Sequence, residues 1–307
     1  MLEHVFRHHP LLGTLVEVRI GSATDPASAA RLDELIVAEI ARLEKVFSAF
    51  DASSELERWK RGELAEPSLD FCRAMQLALE WQQRSAGAFN TASGRVTALW
   101  REAEARGEPP TTHALDAAAR AIADPLYRVD DDGIPRLLGD GTGLNLNAFV
   151  KGWIVDRAVE RCVAEAETVE LLVNAGGDLR HRGDQPVPVG IEHPLRPYDN
   201  EPPIATIALA NAGLATSGRA RRGFRIAGRW YAHVIDPRTG RTVDDLASIS
   251  VVAGDAATAA VLATVAGLMA PAAAVEYAAG FGAACLVIGT AGELTANERW
   301  RQLESRA

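Results

Sequence analysis

Val169-Glu-Leu-Leu-Val-Asn-Ala-Gly-Gly-Asp178 is a short apolar run that ends in an asparagine and a glycine pair. A run of this length bounded by turn-forming residues predicts a buried strand, and Gly176-Gly177 mark where it stops. Upstream, residues 151–166 carry apolar positions at helical period, so a helix feeds the strand. Downstream, strand-like runs recur at 187–191, 204–209, 224–226, 230–235 and 249–252, which makes this half mostly sheet. Two further helices, at 256–269 and from Pro271 to residue 279, and a late apolar strand at 284–288 close the chain.

The N-terminal half adds a strand over residues 12–20, alternating apolar and polar from Val16 onward. After Pro26, Leu32, Leu35, Ile36, Ile40, Leu43, Val46 and Phe47 recur mostly at spacings of three and four, the stripe of an amphipathic helix. Ser68 is a candidate N-cap for a second helix carrying Met75, Leu79 and Trp81 and stopping before Gly87. An alanine-rich helix over 112–123 precedes Asp130-Asp-Asp-Gly-Ile-Pro135, which predicts a hairpin turn. These elements predict a mixed α/β (α+β) fold with a largely antiparallel central sheet flanked by helices.

A net charge of −9 and a pI near 5.4 argue against nucleic acid as the main partner, because phosphate binding calls for a basic surface. The three cysteines, Cys72, Cys162 and Cys285, are widely spaced with no C-x-x-C, so neither a disulfide framework nor a thiolate metal site is expected. No transmembrane segment is expected, and the first ten residues lack the apolar stretch and cleavage site of an export signal. The chain as given therefore predicts a cytoplasmic protein, or a periplasmic one if its N-terminus was trimmed. His4, His8 and His9 predict a solvated terminus rather than a metal site.

In His233-Val-Ile-Asp-Pro-Arg-Thr-Gly240 an apolar strand delivers a histidine and then an aspartate that opens a proline-containing turn. Alone, this is either an ordinary strand end or a rigid polar loop with a chemical role. Ala215-Thr-Ser-Gly218 and Asn174-Ala-Gly-Gly-Asp178 are read as small-residue loops, in which a ligand can approach backbone amides. Ser54-Glu-Leu56, Ser85-Ala-Gly-Ala-Phe-Asn90, Asn145-Leu-Asn-Ala-Phe-Val-Lys-Gly152 and Ala259-Ala-Val-Leu-Ala-Thr264 complete a collinear set. The set resembles S-E-L, S-G-G-A-F-D, D-L-G-G-I-A-K-G, N-x-G-G-D, A-T-S-G, H-I-I-D-P-x-T-G and A-D-A-L-A-T of the FAD-dependent protein FMN transferases, the ApbE or thiamine-biosynthesis-lipoprotein family. The chain is similar to that family from residue 54 to residue 264.

The resemblance implies a single ApbE-like unit over 1–307, compact and two-lobed, with FAD between the lobes. It implies an enzyme that binds FAD and magnesium, passes FMN to a Ser or Thr hydroxyl of an acceptor flavoprotein, and releases AMP. Carried over residue by residue, His233 stands beside the reacting phosphates and Asp236 braces its loop. Glu55, Lys151, Gly176, Gly177, Asp178, Thr216, Ser217, Gly218 and Thr239 contact the cofactor. The Val150 carbonyl and Thr264 are metal ligands. Three positions depart from the family by losing a carboxylate: Ala260, Asn145 and Asn90. Ala260 stands where the family has a metal-ligating Asp, and the nearby Asp255 is placed to cap the helix instead. The alternative reading is an FAD-binding family member with weak or no transferase activity. The basic run Arg219-Ala-Arg-Arg-Gly-Phe-Arg225 is either a solvated strand edge or a set of charges facing the diphosphate.

Overall fold

The structure is a computed structural model that describes residues 2–21, 24–166, 170–196, 198, 201–218 and 223–305. In chain order the elements are β1 (Leu2–Leu11), β2 (Thr14–Gly21), α1 (Pro26–Phe47), α2 (Glu55–Lys60), α3 (Leu69–Arg84), α4 (Gly94–Arg106), α5 (Thr112–Ala121), β3 (Tyr127–Val129), β4 (Pro135–Leu137) and α6 (Val150–Glu165). There follow β5 (Leu171–Ala175), β6 (Asp178–Arg182), β7 (Val187–Ile191), β8 (Ala205–Leu209), β9 (Gly213–Gly218), β10 (Gly223–Ile226), β11 (Arg229–Ala232), β12 (Ile235–Asp236), β13 (Arg241–Thr242) and β14 (Leu246–Ala253). The chain ends with α7 (Ala256–Ala266), α8 (Pro271–Gly280), β15 (Ala284–Gly289), β16 (Leu294–Ala296) and α9 (Glu298–Glu304).

Two compact units share this chain: Met1–Glu44, Phe149–Gly218 and Leu246–Ala307 form the first, and Lys45–Ala148 with Arg219–Asp245 form the second. The first is built on one sheet in the order β1-β2-β5-β6-β9-β14-β15-β16, with every neighbouring pair antiparallel. Side chains alternate across a strand, so the register sorts them onto two faces. Leu172, Leu179, Leu214, Val252, Leu286 and Ile288 share one face, in a core with Trp300 of α9 and the β7–β8 hairpin. Asp178, Ala215 and Val251 share the other, on which α7 packs beside α6.

The second unit is organised by aromatic rings whose polar atoms are satisfied. Trp59 meets Tyr127 edge-on at 5.7 Å between ring centroids, and the indole N–H of Trp59 donates to the Pro135 carbonyl at 3.1 Å. The Tyr127 hydroxyl donates to the Met75 carbonyl at 2.7 Å, and its burial pushes the phenol far above the ordinary range. Trp100 packs against Phe224 and Tyr231, with centroids 5.9 and 5.1 Å away.

The expected antiparallel sheet, the 130–135 hairpin and the helices from Pro26, Ser68, Pro271 and 256 are present. Two readings are corrected. Ala215-Thr-Ser-Gly218 lies within β9, in the middle of the main sheet, rather than in a loop. Its neighbour Gly213 explains the composition: a side chain there would overlap the backbone of Asp255 and Ala256. His4 and His8 are tied down rather than solvated, because β1 pairs with β2, His4 Nε2 lies 2.8 Å from the Thr24 carbonyl and α1 brings Asp33 to within 2.9 Å of His8 Nε2, while His9 is exposed. The strand expected over 12–20 is β2; an unexpected strand, β1, precedes it, and the two turn at Leu12-Gly13 with positive φ of 53° and 66°. The strand expected over 169–174 begins outside the described residues and runs to Ala175.

Candidate active site

In the first unit the N-terminus of α6 begins at Val150, after Phe149, which makes no side-chain capping bond. An uncapped helix start offers backbone N–H groups and positive partial charge. Lys151 adds a full charge there, its Nζ lying 3.3 Å from Asp178 Oδ2 and 3.3 Å from the Gly176 carbonyl. Asp178 is 9% exposed. Burial raises its carboxyl above the ordinary range, and the Lys151 ammonium opposes that rise.

The loop between β5 and β6 has only glycine-compatible geometry. Gly176 and Gly177 have φ of +59° and +99°, and Asn174 Oδ1 accepts the Gly177 N–H at 3.0 Å to close the turn. A side chain at Gly176 would overlap that of Thr14. On β9, Thr216 pairs in register with Ser250, and their hydroxyls lie 2.8 Å apart. Ser217, one residue on, points to the opposite face, the one that carries Asp178 and α7. The sheet therefore assigns Thr216 and Ser217 to different surfaces.

The start of α7 is fixed by three carboxylate bonds. Asp255 accepts the Thr258 N–H at 2.6 Å, so it is the N-cap. Asp156, buried on α6, accepts the Ala256 and Ala257 N–H groups at 2.9 Å each. Burial pushes the Asp156 carboxyl up to about 7, against the pull of those two donors. Arg180 of β6 bonds the Gly254 carbonyl and approaches Asp156 at 3.7 Å. Asp156 and Arg180 escaped the reading of the sequence. An acid among Trp153, Ile154, Val155, Ala158 and Val159, all buried on α6, was the available signal.

One helical turn along α7, Ala260 is 8% exposed and packs with Ala215 and Ala259, while Thr264 is half-buried. Magnesium takes hard oxygen ligands, normally with at least one carboxylate. The oxygens carried over from the family are the Thr264 hydroxyl and the Val150 carbonyl, whose helical position directs it to the N–H four residues on. Among the described residues no group of three His, Cys, Asp or Glu side chains could hold an ion. The residues present do not fit a magnesium ion.

In the second unit, His233 is exposed at the end of β11. Its strand end is tied by the Ala232 N–H to Asp244 Oδ1 at 3.2 Å, and by the Val243 N–H to the Val234 carbonyl at 2.9 Å. Asp236 then organises the turn: its Oδ1 accepts from Arg238 N and Nε, both at 2.9 Å, and its Oδ2 accepts from Nη2 at 2.8 Å. Its carbonyl accepts from Thr239 and Gly240 at 3.2 and 2.8 Å. The Gly240 carbonyl in turn accepts from the Trp100 indole at 2.8 Å, which ties the turn to the aromatic core. Thr239 Oγ1 accepts from Arg241 N at 3.3 Å.

Glu55, at the start of α2, spends one carboxylate oxygen on the Ser68 N–H at 2.9 Å. The buried Asn90 donates to the Ile122 carbonyl at 2.8 Å and accepts from Ala92 N at 2.7 Å, a pair of bonds that an ionised Asp could not make. Asn145 Oδ1 accepts the Asn147 N–H at 3.0 Å. Two of the lost carboxylates thus have structural amides in their place, and the third has a packed methyl group. Of the basic run, residues 219–222 lie outside the described residues, while Gly223, Phe224 and Arg225 belong to β10, where the Arg225 N–H donates to Glu104 Oε1 at 2.6 Å.

Within the first unit, then, Lys151, Gly176, Gly177 and Asp178 converge beside Val150. In the second, His233, Asp236 and Thr239 form one braced turn, while Glu55 lies on a separate helix. The former arrangement suits a bound anion, through an ammonium, an open helix start and a glycine turn. The latter offers an imidazole on a rigid support.

The sequence matches the model of the ApbE family over residues 12–287. It is 28% identical over 270 residues to an FAD:protein FMN transferase of Haemophilus influenzae, covering 82% of this chain and 77% of that one. It is 29% identical over 257 residues to an FAD:protein FMN transferase of Salmonella typhimurium, covering 79% and 72%. The fold is similar to the crystal structure of the ApbE protein from Thermotoga maritima, with a TM-score of 0.85 and 25% identity over 98% of this chain and 99% of that one.

Proposed function

This chain belongs to the ApbE family, and on that premise we propose that it is an FAD:protein FMN transferase acting on a Ser or Thr hydroxyl of an acceptor flavoprotein. The observation that carries the reading is membership of a family whose curated relatives, matched over more than two thirds of their length, bear that activity. The acceptor oxygen attacks the FMN-side phosphorus, the diphosphate P–O bond breaks, and AMP leaves with the bridging oxygen. The hydroxyl proton must be taken up as the new phosphoester forms.

His233 orients that hydroxyl and takes its proton, and Asp236 holds the turn that carries the imidazole. Lys151 and the start of α6, which no side chain caps, receive diphosphate oxygens beside the Gly176-Gly177 turn. Asp178 holds the Lys151 ammonium in place. In the first unit Ser217 and Gly218 are assigned to the flavin and diphosphate, whereas Thr216 faces the other surface of the sheet and is left out; in the second unit Thr239 and Glu55 are assigned as cofactor contacts. Magnesium supplies charge neutralisation when it is bound in this chemistry. The Val150 carbonyl and Thr264 alone do not make its site. No helix among the described residues is long and apolar enough to cross a membrane.

The test is to incubate the purified protein with FAD and a flavoprotein acceptor. After denaturing electrophoresis the acceptor band is examined for flavin fluorescence, and the supernatant is chromatographed for AMP. A fluorescent acceptor band with AMP in equal amount is expected. AMP and free FMN with an unlabelled acceptor would indicate hydrolysis instead, and FAD left intact would overturn the reading.

A further inference from the structure

We propose that this chain handles FAD without a divalent metal ion at α7, and that its affinity for FAD is therefore insensitive to magnesium. The inference rests on the flavin reading above and deepens it. It starts from what has replaced the missing carboxylate. Ala260 is not an open gap beside an otherwise polar site: its methyl group belongs to a buried alanine cluster with Ala215 of β9 and Ala259, against which Ala253 also packs. Ala263, next to Thr264, is buried as well. This surface of α7 is apolar around a single hydroxyl, and a bare magnesium ion does not trade its water shell for one hydroxyl and one helical carbonyl.

The nearby acids are committed elsewhere. Asp255 caps α7 at 2.6 Å, Asp156 holds two N–H groups of the same helix, and Asp178 faces the Lys151 ammonium. None can turn toward Thr264 without surrendering a bond that fixes α7 or Lys151. The positive charge that this part of the first unit presents is covalently part of the chain: Lys151 Nζ, beside the uncapped start of α6. An ammonium and oriented N–H groups bind phosphate oxygens without an ion between them.

The probe is Mn2+, whose free-ion paramagnetic resonance signal disappears on binding. The protein with saturating FAD should leave the Mn2+ signal equal to that of FAD alone. Its affinity for FAD, followed by flavin fluorescence, should agree within twofold in EDTA and in millimolar magnesium. Ala260→Asp, which restores the family's ligand, should remove Mn2+ signal in the presence of FAD and make FAD affinity respond to magnesium at least tenfold. A thermal melt establishes that this variant is folded; if it is not, the two measurements on the unaltered protein decide the matter. Stoichiometric Mn2+ uptake by the unaltered protein, a tenfold loss of FAD affinity in EDTA, or AMP release only with magnesium would each overturn the inference. No binding of FAD under any condition would instead overturn the flavin reading, and this inference with it.

Discussion

The start of α7 and the turn at Asp236 are built by the same device and stand in opposite surroundings. In each, carboxylates accept backbone N–H groups: Asp255 and Asp156 take Thr258, Ala256 and Ala257, and Asp236 takes Arg238. The α7 start is buried against the sheet, and the helix it fixes carries Ala260 in an apolar cluster. The Asp236 turn stands near the surface, and the histidine that precedes it is intact and exposed. The difference teaches that scaffold and reactive group are separable. Buried polar bonds keep a helix in register whatever it carries, whereas an exposed turn contributes little to stability and can carry the chemistry.

Asp156→Ala should break the comparison most violently. It strands two helix N–H groups and removes the carboxylate facing Arg180, so a loss of about 3 to 5 kcal/mol is expected from urea denaturation. Asp156→Asn retains one acceptor and should lose less. The folded-state pKa of Asp156 is raised to about 7 from an unfolded value of 3.8. Between these values the folded state holds the proton that the unfolded state has released. The stability it contributes is therefore full below pH 4 and declines as the pH rises to 7. Relative to Asp156→Asn, the unaltered protein should lose stability across that window; a flat difference would show that the two N–H donors outweigh burial.

Gly213→Ala sharpens the same side by a smaller step. The added methyl would collide with the Asp255–Ala256 backbone, and overpacking of this kind costs about 1 to 3 kcal/mol. Gly240→Ala is the counterpart in the second unit. There φ is +70° and the new Cβ would lie 2.9 Å from the Leu115 carbonyl, so about 1 to 2 kcal/mol is expected in the same denaturation assay. Because Gly240 ends the Asp236 turn, its substitution should also slow AMP release, whereas Gly213→Ala should act on stability first.

What the sequence disclosed follows from where the relevant partners lie. Helices announced themselves through apolar period, and Ser68 and Asp255 were legible as caps because the N–H groups they bind are three residues away. β6 was missed because Asp178-Leu-Arg-His-Arg182 looks too polar for an inner strand. Its charges are tolerable only through partners far along the chain: Arg180 with Asp156 and Gly254, and His181, whose Nδ1 accepts the Asn211 N–H at 3.1 Å. β9 looked like a loop because its small residues serve close packing rather than turning. β1 was missed because it has a partner strand on one side only and its histidines and arginine interrupt the apolar alternation. The turn at Asp236 was legible, since Asp236 binds residues two to four positions on, whereas the break between β11 and β12 at His233 and Val234 was not. The loss of a carboxylate at Ala260 was also visible, but the alanine cluster that fills its place is a tertiary fact.

His233→Ala is expected to have the smallest effect on stability and the most specific effect on chemistry. The residue is exposed at a strand end whose backbone bonds run through Ala232 and Val234, so substitution should change unfolding free energy by less than about 1 kcal/mol. Removing a general base should slow flavin transfer by roughly 10²- to 10⁴-fold. FAD affinity should stay near that of the unaltered protein, because the diphosphate contacts are assigned to Lys151 and the start of α6. The informative result is the pair of numbers taken together. A stable variant that binds FAD and does not transfer FMN places His233 in the reaction itself. A variant that transfers at the normal rate removes it, and a variant that loses stability and transfer in proportion would make the exposed turn part of the scaffold, erasing the contrast with α7.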